Sequence, residues 1–303
     1  MKRDPGRYWT LACLALSGIV MVPILAVAWS LAQDSEGVWN HLAETVLGKY
    51  VSNTLLLAAG VGCGTLLVGV TTAWLVTAFS FPGVGVFRWA LLLPLAIPSY
   101  LLAYAMTDLL QFSGPVQVWL RDSTGWGRED YWFPQVRSLG GAVVILVLCL
   151  YPYVYLAASN GFLGLSASVI EASRTLGAGS WTRFSRVVLP LARPSIFAGV
   201  ALVVMETMAE FGAVDYCAVD TFSTGIYRTW TGRGSLTAAA QLSTCLLGAV
   251  GLLYLLEGGF RKSAKFHHAT QRTRPPAPVV LSGAWRWVAF LACAIHVHGL
   301  HQF

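Results

Sequence analysis

Six stretches of this chain run for about twenty residues with little or no charge, the length needed to cross a bilayer as a helix. They fall near Trp9–Leu31, Val51–Phe79, Trp89–Thr107, Leu139–Ser159, Ser195–Val214 and Leu236–Leu256. Only the fifth carries acids, Glu206 and Glu210. In lipid, an open sheet would leave backbone groups unpaired, so each stretch is expected to be helical. The pattern predicts an all-α membrane protein, a bundle of six transmembrane helices. Composition agrees: 56% of residues are hydrophobic and 11% charged, against about a quarter charged in soluble domains.

Lysine and arginine set the orientation. With the N-terminus cytoplasmic and the spans alternating, 14 of the 20 Lys and Arg residues fall inside, as the positive-inside bias requires. The net charge of +6 therefore reads as membrane topology and not as nucleic-acid binding. The outer segments are acidic or balanced, and the second, Asp108 to Ser138, carries Trp119, Trp126, Tyr131 and Trp132. Aromatic residues at that level suit interfacial anchoring. The basic start, Met1 to Arg7, precedes an uncharged run longer than the apolar core of a secretory signal, so it predicts a retained first span. The six cysteines include no C-x-x-C pair and read as small buried apolar residues without a disulfide framework.

Residues 1–260 thus form a six-span domain. Residues 261–283 form a basic, Pro-rich cytoplasmic linker with Arg274-Pro275-Pro276-Ala277-Pro278, the composition of a separator between units. Residues 284–303 look like an incomplete seventh span.

One long polar and basic segment is wedged between two very apolar ones, at 166–194. Ser168-Val169-Ile170-Glu171 has the spacing of a capping box. Val169, Ala172 and Leu176 share a helical face, and Gly177 is placed to end the helix in a left-handed cap. Ser180 is a candidate cap for a second short helix, with Pro190 and Pro194 marking its end. These signals predict a helix–turn–helix in a cytoplasmic loop. Small residues there (Ala172, Ser173, Gly177, Ala178, Gly179) would let another protein approach closely.

The same residues carry a resemblance. Glu171-Ala172-Ser173, Gly177 and Val187-Val188-Leu189-Pro190 are similar to the "EAA" loop of ATP-binding-cassette (ABC) importer permeases, with Ser173 and Val187 as departures from alanine and isoleucine. The segments Leu93–Tyr100, Asp108–Pro115, Met205–Thr207 and Thr224–Trp230 resemble the ferric-iron branch of that family, and the likeness covers roughly residues 8 to 290. The resemblance implies that Glu171, Ala172, Ser173, Gly177, Leu189 and Pro190 couple the chain to an ABC ATPase. It implies a bacterial inner-membrane permease, fed by a periplasmic or extracellular solute-binding protein and paired with a second permease half, itself or a separate chain. In that branch one polypeptide often holds two six-span halves, so this chain resembles a first half with a truncated start of the second. The alternatives are an ion-gradient-driven secondary transporter and an inactive truncated fragment.

The chain is expected to bind no cofactor. It has no G-x-x-x-x-G-K-[ST] phosphate loop, so ATP and Mg belong to a partner ATPase. G-x-S-x-G and H-E-x-x-H are also missing, which argues against a hydrolase or protease. Acids inside a span are costly and are functional candidates. Glu206 and Glu210, four apart, would share one face and line a cation pathway, or else hydrogen-bond within the bundle. Pro94 and Pro98 predict a kink in the third span, and Gly60-x-x-x-Gly64 predicts close helix packing in the second. His267, His268, His296, His298 and His301 are treated as non-sites, with no metal expected.

Overall fold

A computed structural model describes residues 5–263 and 278–301. The order is α1 (Pro5–Trp29), α2 (Val38–Thr45), α3 (Leu47–Ala78), β1 (Phe79–Ser80), α4 (Val84–Ala90), α5 (Ser99–Leu110), α6 (Pro115–Thr124), α7 (Leu139–Leu163), α8 (Ala167–Thr175), α9 (Ser180–Arg183), α10 (Leu189–Ala209), α11 (Gly212–Tyr216), α12 (Phe222–Arg233), α13 (Leu236–Ser263), β2 (Val279–Val280) and α14 (Trp285–His301). Among the described residues, five helices are long and apolar enough to cross a membrane, and a bent pair makes up to six. The all-α membrane fold expected from the uncharged stretches is the fold observed.

The core lies where α3, α7 and α10 pack together, around Leu57, Val61, Ile145, Leu146, Tyr151, Val154 and Val203. Small residues make the approach close enough. A Cβ at Gly60 would lie 3.0 Å from Val143, and one at Gly64 would strike Val147, so the paired glycines of α3 receive paired valines of α7. At Gly69 a Cβ would stand 2.8 Å from the Val154 Cβ and 2.9 Å from the Tyr155 backbone nitrogen. Neither the valine nor the backbone can swing away. Gly69→Leu should therefore lower the thermal midpoint of the purified chain, at a cost of about 1–3 kcal/mol for overpacking; an unchanged melt would mean that α3 and α7 can separate freely.

Several expectations are corrected. The third stretch is not a kinked helix but a break of 94° between Val84–Ala96 and Ser99–Thr124. Pro94 is the second residue of a 3-10 turn, Leu93–Ala96, and Pro98 caps α5. Two prolines four residues apart remove two helical donors and clash with the preceding turn, so the helix stops and restarts. The outer loop Asp108–Ser138 contains the helix α6. Cys149, Cys217 and Cys293 are buried, but Cys13, Cys63 and Cys245 face outward, as thiols on a lipid-exposed surface can.

Of the linker, residues 264–277 lie outside the described residues, and His267 and His268 with them. Beyond it, β2 pairs in parallel with β1, Phe79 opposite Val279 and Ser80 opposite Val280. Helix α14 then packs on α4, with Phe290 edge-on to Phe87 at 5.2 Å and Ala289 and Cys293 buried in the main core. His296 bonds the Ala292 carbonyl at 2.7 Å; the side chains of His298 and His301 lie outside the described residues.

Candidate functional site in the basic loop and at the span break

The loop after α7 departs from the expected caps at both helix starts: Gly179, not Ser180, is the N-cap of α9, and Ser180 is its first residue. Helix α8 begins at Ala167, with Ser166 as its N-cap and no side-chain capping bond. The capping box at Ser168 is therefore absent: Ser168 already lies inside the helix, its hydroxyl against that of Ser166. The end matches expectation. Gly177 has φ +78°, a left-handed cap suited to glycine. Ala178 N–H donates to the Ser173 carbonyl at 3.0 Å and Gly177 N–H to that of Arg174 at 3.0 Å.

The prolines do not end the second helix. Helix α9 runs through a widened π-turn, Phe184–Val188, into α10, so residues 180–209 form one long helix. The wide turn, closed by Leu189 N–H on the Phe184 carbonyl, comes just before Pro190, which has no donor of its own and needs room for its ring. The fifth span is thus rigidly continuous with the loop, with Leu189 and Pro190 half-buried at the join.

Two sets of side chains divide the loop. Ile170, Ser173, Arg183 and Val188 are buried. Phe184 packs on Trp74 of α3, ring centroids 4.8 Å apart, and Phe162 of α7 closes on the same tryptophan at 5.7 Å. The Ser173 hydroxyl donates to the Ile170 carbonyl at 2.6 Å, so a serine fits where its own helix satisfies it. Facing outward are Glu171, Ala172, Gly177, Leu176 (86% exposed) and Trp181 (76% exposed). The loop thus presents a large leucine and a tryptophan on its outer face, while its inner face is held against the bundle.

The two membrane acids part company. Glu206 is exposed on α10, whereas that helix ends at Ala209 and Glu210 turns into extended backbone. They do not share a helical face. The Glu210 carboxylate accepts from the Ser99 hydroxyl at 2.8 Å and from Ala213 N–H at 3.0 Å. The Glu210 carbonyl accepts from the Ser223 hydroxyl at 2.6 Å. One residue therefore ties the restart of the broken span, α11 and α12 together. Sequence reading missed Ser99 and Ser223; the only hint was a serine directly after Pro98.

At the outer end, Asp220 is bound by Lys49 at 2.5 Å and by Arg228, which also reaches Asp215 at 3.6 Å. Partial burial pushes the Asp220 carboxyl up, but hydrogen bonds from Lys49 and Arg228 outweigh it and hold the group below the usual carboxylate range. A cavity of about 670 Å³ opens beside α5 and α6, lined among others by Gln111, Gln117, Tyr131, Arg128 and Arg137.

The fold defines a multi-span helical membrane component with a basic loop anchored to its bundle. Comparison with known proteins makes that specific. Residues 65–257 match the model of the family described as "Binding-protein-dependent transport system inner membrane component", and the chain belongs to that family. Its several membrane-length helices fit a multi-pass inner-membrane component of such a system. The Fe(3+)-transport system permease protein FbpB 2 of Haemophilus influenzae is 28% identical over 279 residues, 91% of this chain and 50% of that protein. The chain spans about half the length of that relative. The sulfate transport system permease protein CysT of Escherichia coli is 28% identical over 204 residues, 66% of this chain and 70% of that protein. A solved bacterial alginate ABC transporter, in complex with alginate pentasaccharide-bound periplasmic protein, shares the fold: TM-score 0.67 at 15% identity, over 86% of this chain and 96% of that one. Family membership displaces the gradient-driven alternative.

Proposed function

We propose that this chain is the transmembrane subunit through which an ATP-driven importer couples hydrolysis to solute passage. The observation that carries this reading is the division of the loop, with Ile170, Arg183, Phe184 and Val188 anchored to the bundle and Glu171, Leu176, Gly177 and Trp181 presented outward. A separate ABC ATPase, holding ATP and Mg, docks on that exposed face. Movement of the face is transmitted along the unbroken helix 180–209 to the Glu210 junction. A solute-binding protein delivers cargo at the outer loops, and a second permease half, a copy of this chain or another chain, completes the pathway. The N-terminus is cytoplasmic in this scheme.

The cargo we favour is ferric iron, supported by the iron-transport relative that aligns with 91% of this chain. An oxyanion is the second reading, favoured by the outer cavity, whose lining includes Arg128 and Arg137 and no carboxylate. Uptake in cells expressing the chain with its ATPase and binding protein separates the two. Accumulation of radioactive ferric iron, uncompeted by excess sulfate or molybdate, is the expected result. Uptake of labelled sulfate or molybdate without iron uptake would overturn the first reading in favour of the second.

A further inference from the structure

Arg183 is 6% exposed, and among the described residues no carboxylate lies within ion-pairing distance of it. Its Nη2 donates to the Ser180 hydroxyl at 3.3 Å, a single neutral partner. It lines a cavity of about 30 Å³ together with a second cation, Arg174, and with Trp74, Thr77, Phe162, Leu163 and Ile170. A buried charge is costly unless paired, and here two cations share one cavity with no carboxylate in its lining and none in ion-pairing distance of Arg183 among the described residues.

The cavity sits where α3 and α7 end and the loop begins. The loop 166–194 carries Arg174, Arg183, Arg186 and Arg193 against the single acid Glu171, which places it on the cytoplasmic side. Basic pockets between spans on that side hold anionic lipid headgroups. We propose that the Arg183–Arg174 cavity is a headgroup site for an anionic phospholipid of the inner leaflet. Its volume admits about two water-sized groups, so phosphate oxygens enter while the acyl chains stay in the bilayer beside Leu163, which is 45% exposed. A carboxylate from a docking protein has the right charge. However, the surface offered to such a protein is made by Leu176 and Trp181, and Arg183 is not part of it. A bound phosphate would neutralise Arg183 and fasten α8 and α9 to the ends of α3 and α7.

The test uses the full chain, purified without any ATPase, so it is independent of the docking reading. Thermal shift and native mass spectrometry are run with phosphatidylglycerol, with phosphatidylcholine and with inorganic phosphate alone. The expected result is selective stabilisation by phosphatidylglycerol, with retained lipid seen by mass. Arg174→Gln should weaken that binding roughly fivefold, the effect of one arginine near an anionic headgroup, and Arg183→Gln by at least as much. Arg174 is exposed, so its variant separates binding from folding. Equal stabilisation by the neutral lipid overturns the proposal. So does an equal effect of free phosphate, which would assign the cavity to a small soluble anion. Undiminished phosphatidylglycerol binding in both variants also overturns it; if ATPase recovery were lost at the same time, the cavity would belong to a partner's carboxylate.

Discussion

Gly177→Arg is expected to abolish co-purification of the ABC ATPase with this chain while leaving membrane insertion intact. Gly177 holds φ +78° at the end of α8, a conformation costing an ordinary L-residue about 1–2 kcal/mol. A Cβ there would meet nothing within 4 Å, so the chain folds around the substitution, with the bundle untouched. What changes is the exposed face: a long cation projects beside Leu176 and Trp181, on the face we propose for the ATPase. A loss of about 1.4 kcal/mol of docking energy is tenfold in affinity, and a charge opposed to a close-fitting surface exceeds that. Gly177→Asn is the control, since asparagine tolerates the left-handed cap and adds no charge. Recovery of ATPase should persist with asparagine and fall more than tenfold with arginine. Undiminished recovery with arginine would remove Gly177 from the docking surface.

The second large effect is expected at Glu210. Glu210→Ala deletes the acceptor of the Ser99 hydroxyl and of Ala213 N–H. Each part-buried donor left unsatisfied costs about 1–3 kcal/mol, so the thermal midpoint of the purified chain should fall by several degrees. Glu210→Gln keeps a side-chain carbonyl able to accept both bonds and should melt close to the parent. Uptake then separates structure from charge. If glutamine supports transport as well as glutamate, Glu210 acts through its hydrogen bonds at the span break. If glutamine melts like the parent but transports poorly, the negative charge itself is used and the pathway role stands. An alanine variant that melts like the parent would show that the junction is held by other contacts. Glu206, exposed on α10, is the position where a pathway role can be tested without disturbing that junction.

How much was legible depended on how local each cause was. Gly177 announced its cap because the left-handed turn is decided within one residue and its immediate neighbours. Gly60 and Gly64 announced close packing because their spacing alone puts them on one face. Ser168 misled because capping chemistry permits several start points, and burial of Ile170 in the bundle selected Ala167. Pro190 misled for a related reason: proline forbids an ordinary α-helical turn, yet the π-turn before it lets the chain continue under the aromatic contacts of Phe184 with Trp74. The face of Glu210 could not be read either, since the hydroxyl partner of its carboxylate is Ser99, 111 residues away.

By itself the sequence determined that the chain lies in a membrane, that it is helical, where most spans run and which loop is basic, because transfer from water to lipid is summed residue by residue along the chain. The tertiary structure alone decided that the third span breaks by 94°, that Glu210 ties three elements together, and that Arg183 is buried beside Arg174 with no acid within ion-pairing distance among the described residues. Those outcomes depend on which groups from distant segments are brought within hydrogen-bonding or Coulombic reach, and no local pattern along the chain encodes that proximity.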